Sequence, residues 1–277
     1  MRISPRDCRS CSPQESGRLP PIAISLLSAG FVVLAVARPG LGDTWVDSRT
    51  LGPFVCRADF HLDGSEALFA DLHQLESDLV EHLGLRPARE SIELYFFRDE
   101  RSYRRYLARH LPQVPYRRAL YVNTGGAGMV FAYRSKEFAV DVRHECTHAL
   151  LHASLPMVPL WLDEGLAEYF EVPPAKRAFG SPHLSSVRWS ARLRTFAPIV
   201  DLEKLGDLSQ MGGAEYRNAW AWVHFMLHGP AEVHDELVRF LADIQAQTPP
   251  GRLSHRLARR LPHLERRFGQ HFRHWRR

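Results

Sequence analysis

Two histidines and a glutamate stand inside a stretch that is otherwise built for burial. Residues 142–154 read Val-Arg-His-Glu-Cys-Thr-His-Ala-Leu-Leu-His-Ala-Ser. The apolar content predicts a buried helix from about Val142 to Ser154, ended by Pro156. Buried imidazoles and carboxylates need partners, so this helix must pack against something that supplies them. Residues i and i+4 share a helix face, so His144 and His148 can offer two ring nitrogens to one metal ion. Zinc suits such a pair, because it takes nitrogen and oxygen ligands without strong geometric demands of its own. Glu145 lies roughly 100° further round the helix. There it can take a proton from water without binding the metal.

The five-residue pattern alone is weak. Fifteen histidines in 277 residues let H-E-x-x-H arise by chance in roughly one such chain in twenty. The neighbourhood strengthens it. A catalytic zinc holds three protein ligands and an open position. One class of zinc site takes a third histidine six residues on, after a glycine; this chain has Leu151 and Ser154 there, which excludes that class. The other source is a glutamate on a second helix. Trp161-Leu162-Asp163-Glu164-Gly165-Leu166-Ala167-Glu168-Tyr169-Phe170 supplies it. Glu164 is assigned as the third ligand, with Gly165 allowing close helix approach. Glu168, one turn further on the same face, is assigned to accept a ring N–H from a ligand histidine. The reverse, with Glu168 as ligand and Glu164 structural, is the alternative. His152 continues the series but has rotated off the metal face.

These two segments together resemble the gluzincin metallopeptidases, the clan that includes thermolysin and aminopeptidase N. Fifteen residues separate His148 from Glu164, fewer than in the aminopeptidases. That shorter link resembles the bacterial peptidase MA-like family. The likeness spans roughly residues 50–230. It implies a thermolysin- or aminopeptidase-like zincin domain, with one zinc ion in a cleft between a sheet lobe and a helical lobe. It also implies a role for Tyr216, which opens a helix as Tyr216-Arg217-Asn218-Ala219-Trp220-Ala221. In the aminopeptidases a tyrosine so placed stabilises the oxyanion. The competing reading is a core tyrosine on an aromatic-rich helix. Gly125-Gly126-Ala127-Gly128-Met129 loosely resembles the edge strand that holds peptide in the aminopeptidases. No glutamate follows Met129, so no anchor for a substrate amine is implied. A flexible turn is the simpler reading of that run.

The rest of the chain reads as α+β: a small mixed sheet with flanking helices, then a helical lobe. Residues 38–52 read as linker and 53–250 as the catalytic domain, divided into a sheet lobe (53–142) and a helical lobe (143–250). Strands are expected at 53–60, 91–97 and 119–122, and a hairpin at 129–133 and 138–142. Leu68, Leu72, Leu75, Leu79 and Leu83 mark a helix over 65–83, and Asp99 caps another to about His110. Further helices are expected over 161–171, 214–228 and 233–246, with 172–212 irregular. Residues 251–277 form a basic amphipathic tail, with Leu264, Phe268, Phe272 and Trp275 on one face for docking.

Charge and cysteine usage narrow the function classes. The net charge is +5, but residues 252–277 alone hold nine Arg against Glu265. Residues 1–37 add Arg2, Arg6, Arg9 and Arg18 against Asp7 and Glu15, so the body between is mildly acidic. That distribution argues against nucleic-acid binding. Arg-led apolar residues 22–37 read as a signal peptide or as a membrane anchor, and either implies export. Cys8-x-x-Cys11 precedes that run and lacks a second ligand pair. Cys56 and Cys146 are either a disulfide of an oxidising compartment or two buried thiols. The expected function is zinc-dependent hydrolysis of peptide bonds in a peptide or protein substrate. The alternative is a non-hydrolytic zinc-binding envelope protein, against which an intact Glu145 argues.

Overall fold

In the computed structural model, residues 45–123 and 128–276 are described. The expected signal or anchor segment, Cys8, Cys11 and Gly125-Gly126-Ala127 lie outside them. Among the described residues no helix is long and apolar enough to cross a membrane.

The chain is a mixed α+β protein. It opens with β1 (Asp47–Leu51) and β2 (Phe54–Ala58), then α1 (Glu66–Leu83), β3 (Ile92–Phe97), α2 (Glu100–His110), β4 (Ala119–Val122) and β5 (Met129–Tyr133). The five strands form one sheet in the order β1-β2-β3-β5-β4. Its three inner strands run parallel, and the two outer ones pair antiparallel. Strand alternation sends side chains to opposite faces. Ile92, Leu94 and Phe96 of β3 join the main core, while Tyr95 and Phe97 join a smaller aromatic core with Tyr103, Tyr106 and Phe131. Helix α2 covers that second face. Asp99 caps α2 by accepting the Ser102 N–H at 2.8 Å, as its sequence predicts.

Two expectations give way. The stretch read as linker contains β1, a five-residue edge strand of Asp-Ser-Arg-Thr-Leu that half-buries alternate side chains. Its polar residues conceal a strand because only one edge and one face are covered. The hairpin expected at 138–142 is absent. Phe138–Val142 is the first turn of α3 (Phe138–Ser154). The alternation Phe-Ala-Val-Asp-Val mimics a strand, but Asp141 suits a helix N-terminus and pairs there with Arg118. The antiparallel partner of β5 is β4 instead.

The helical lobe follows: α4 (Leu160–Phe170), α5 (Leu184–Leu193), α6 (Ile199–Leu202), α7 (Gly213–His228), α8 (Ala231–Gln245), α9 (Leu253–Arg260) and α10 (Leu264–His274). The segment that looks irregular in sequence thus holds two α-helices and two 3-10 turns, Pro174–Lys176 and Leu208–Gln210. The basic tail docks as expected: Leu264, Phe268 and Phe272 are buried, and Phe268 stacks on Trp222 of α7 at 4.2 Å. Gly165 of α4 faces α7. A Cβ there would lie 2.8 Å from the Ala219 carbonyl and 3.0 Å from Val223. The close approach that glycine permits is therefore between α4 and α7. Cys56 and Cys146 are both free and buried; burial pushes the Cys56 thiol up to about 12.

Candidate metal centre

Helix α3 carries His144, Glu145 and His148, and α4 crosses it with Asp163, Glu164 and Glu168. Pro156 keeps Leu155 extended and so ends α3, and α4 then packs back against it. His148 is held from behind. Its Nδ1 lies 3.0 Å from Asp163 Oδ1. A carboxylate can only accept, so Nδ1 carries the hydrogen and Nε2 of the neutral ring is bare. His144 repeats the arrangement: its Nδ1 donates to Glu171 Oε2 at 2.9 Å. The two bare Nε2 atoms then face one another at 3.3 Å. Glu164 Oε2 stands 3.7 Å from each. With both rings neutral, three lone-pair donors converge on one point.

Such a set repels itself unless protons or a cation occupy it. Tetrahedral zinc bonded at about 2.0–2.1 Å separates its ligand atoms by about 3.3–3.4 Å. The triangle here, 3.3 by 3.7 by 3.7 Å, is close to that. His144, His148 and Glu164 are thus close enough to hold one metal ion, and their donor chemistry fits zinc. A second group, His144 with Glu168 and Glu171, is also compact enough. There, however, the His144 Nδ1 hydrogen already belongs to Glu171.

Without the ion, the site titrates as a cluster of opposed charges. Burial disfavours a charged His148, but Asp163 and Glu164 outweigh it and lift the ring to about 9. Burial likewise opposes charge on His144, and hydrogen bonds to Glu164 and Glu171 raise it well above the usual range. Burial would raise Asp163, yet His148 and His152 hold it below the ordinary carboxylate range. These imidazoles attract positive charge, and a divalent cation can supply it in place of protons.

Glu168 has a different partner from the one its spacing suggests. Its Oε2 meets His183 Nε2 at 2.8 Å. The carboxylates behind the two ring nitrogens are Asp163 and Glu171. Asp163 also accepts from His152 Nε2 at 3.0 Å, which places His152 behind the ligand shell. Both missed residues were visible in principle. Asp163 immediately precedes Glu164, and Glu171 follows it by seven residues on the same face.

A cleft of about 490 Å³ opens beside the triad. Glu145, His144, Glu168, Tyr216, Ala119 and Arg117 are among its walls. Glu145 therefore faces the same space as the first histidine. Tyr216, in the first turn of α7, is half-buried; burial and the Glu164 charge push its phenol up to about 12, while Arg117 opposes the rise. At neutral pH it keeps its hydrogen and can donate it. The Gly-Met sequence at 128–129 lies elsewhere, since Met129 opens an inner strand. The free edge of the sheet next to the cleft belongs to β4.

No protein-family model matches the chain, and a search of curated proteins finds no match.

Proposed function

We propose that this protein is a zinc-dependent peptidase of the gluzincin type, with a zincin-like fold, most similar to the peptidase MA-like family. The convergence of two histidine Nε2 atoms and a glutamate oxygen within 3.7 Å, with both Nδ1 atoms held from behind by carboxylates, carries this reading. His144, His148 and Glu164 hold the ion. Zinc supplies Lewis acidity, which polarises a carbonyl and makes water more acidic. Glu145 accepts the proton of the attacking water and passes it to the leaving amine. Tyr216 donates its phenol hydrogen to the carbonyl oxygen as negative charge develops there. Asp163 and Glu171 keep both ligand rings turned inward.

A peptide substrate is supported by the sheet. β4 is an edge strand whose first residue, Ala119, lines the cleft. An extended chain can add to such an edge through backbone hydrogen bonds, which places a peptide bond beside Glu145. Export is part of the proposal and rests on the Arg-led apolar run at 22–37.

Metal analysis of the purified protein, with His144→Ala as control, tests the metal centre. About one equivalent of zinc in the wild type and far less in the variant is the expected result. Cleavage of a peptide library by wild type and by Glu145→Gln tests the chemistry. Zinc retained without Glu145-dependent cleavage would instead support a binding protein on the same fold.

A further inference from the structure

The charged groups around the cleft are nearly all matched. Arg118 makes a two-pronged ion pair with Asp141, at 2.8 and 2.7 Å. His144 is matched by Glu171 at 2.9 Å. Glu168 is matched by His183 at 2.8 Å. Among the described residues, two charged side chains on the cleft wall have no opposite charge within ion-pair distance: Glu145 and Arg117. A general base has reason to be left unmatched. Arg117 invites the corresponding question from the other sign.

Its backbone is held firmly. Tyr103 is fully buried, and its hydroxyl donates to the Arg117 carbonyl at 2.9 Å. On one side, Tyr116 donates to Glu100 at 2.6 Å and lies under the Arg104 guanidinium, 3.6 Å from ring centre to Cζ. On the other side, Arg118 is committed to Asp141. The two side chains that flank Arg117 are thus committed, and its own reaches into the cleft beside Tyr216. A guanidinium recognises a carboxylate through paired N–H donors.

We propose that Arg117 is an anion subsite, which binds a carboxylate of the substrate close to the scissile bond. The inference rests on the peptidase reading of the site. Arg117 flanks the phenol that faces the reacting carbonyl, so the carboxylate belongs to a residue within about one position of that bond, given roughly 3.3–3.6 Å of extended chain per residue. An acidic side chain or a free C-terminus supplies the same chemistry. The first makes the enzyme an endopeptidase with acidic preference, and the second a carboxypeptidase-like enzyme.

The test uses acetylated hexapeptides of one neutral sequence. In one set a single Glu walks through an amidated peptide; in the second Gln replaces it; the third has the neutral sequence with a free C-terminal carboxylate. Binding is measured by calorimetry on zinc-loaded Glu145→Gln protein, and cleavage on wild type. One Glu position, or the free acid, should bind roughly ten- to a hundredfold more tightly than its neutral counterpart, as charge-assisted hydrogen bonds predict. Adding Arg117→Gln should erase that preference, and Arg117→Lys should restore part of it. Equal binding of charged and neutral peptides overturns the proposal. So does a preference that survives in Arg117→Gln. Should Arg117→Gln fold poorly, the Arg117→Lys protein against wild type still decides, because its preference must fall. Cleavage without any carboxylate preference would remove the subsite and leave the peptidase. Arg117-dependent binding with no Glu145-dependent cleavage would do the reverse.

Discussion

Asp163 joins two histidines of α3 at once: Oδ1 accepts from His148 at 3.0 Å and Oδ2 from His152 at 3.0 Å. The carboxylate is buried, with 1% of its surface exposed. It fixes the tautomer of His148 and so leaves Nε2 bare toward Glu164. Replacing it by asparagine keeps the size and removes the charge. The amide can still accept one ring hydrogen, but the second histidine then meets an N–H₂. Metal affinity of Asp163→Asn should fall roughly ten- to a hundredfold, the usual effect of losing such an outer partner. Competition against a fluorescent chelator measures it. Unchanged affinity would show that the Asp163 contact does not orient the ring.

Tyr216 gives a prediction of a different shape. Its hydroxyl is proposed to act on charge that appears only during reaction. Tyr216→Phe should therefore lower kcat by roughly 10²–10³-fold, as for other oxyanion donors, while KM and zinc content change little. A variant that loses KM instead would make Tyr216 a substrate-packing residue. Burial, first among its causes, pushes the phenol up to about 12, so no loss of activity from its ionisation is expected near neutral pH.

Gly165 links this chemistry to packing. It lets α7 approach α4 until Ala219 lies within 2.8 Å of where a Cβ would sit. Glu164 is its neighbour on α4, and Tyr216 lies one turn before Ala219 on α7. Gly165→Ala forces the helices apart, which should cost about 1–3 kcal/mol of stability. It should also depress kcat through the misplaced phenol. Thermal unfolding and steady-state kinetics read the two effects separately. A stable, fully active Gly165→Ala protein would mean that α7 can shift without consequence.

What the sequence reveals of this site follows helical periodicity. The grouping of His144, His148 and Glu164 was legible because i, i+4 spacing and a proline that ends α3 are local signals. Glu171 and Asp163 were within the same readable segment, but a carboxylate's partner depends on the crossing of α3 and α4, which no spacing states. Glu168 shows the limit: the periodicity puts it on the expected face, and His183, from a stretch with no clear pattern, claims it. Arg117 had no signal at all, since its significance lies in what its neighbours are already bonded to. The fold behaves alike. Helices with strong apolar stripes were legible, as was β3. β1 is polar and the first turn of α3 alternates, so tertiary context decided both.

A separate histidine cluster ties the C-terminal helix to the lobe and predicts acid sensitivity. His224 of α7 is fully buried, with Nε2 at 3.1 Å from the Ala178 carbonyl and Nδ1 at 3.1 Å from His271 Nε2 on α10. The carbonyl can only accept, so His224 holds its hydrogen on Nε2 and its Nδ1 is bare. His271 then donates from Nε2. Protonating His224 would set hydrogen against hydrogen at that contact. His228 completes the group and is hydrogen-bonded to Tyr169 at 2.7 Å. Other ionisable groups face it: Arg188 near His224, and His82 and His234 near His228. Burial, reinforced by these neighbours, holds His224 down to about 2 and His228 and His271 to about 4. All three are depressed below their unfolded value near 6.5. The unfolded chain therefore binds more protons in the window between, and the contribution of these three histidines to stability is full above about pH 6.5 and falls as pH drops toward 4. The slope is at most about 1.4 kcal/mol per pH unit for each histidine. Thermal midpoints measured from pH 7.5 to 4.5 should decline accordingly. His271→Gln keeps a donor for His224 but does not titrate, so its decline should be shallower. An identical pH profile in that variant would show that acid acts elsewhere in the molecule.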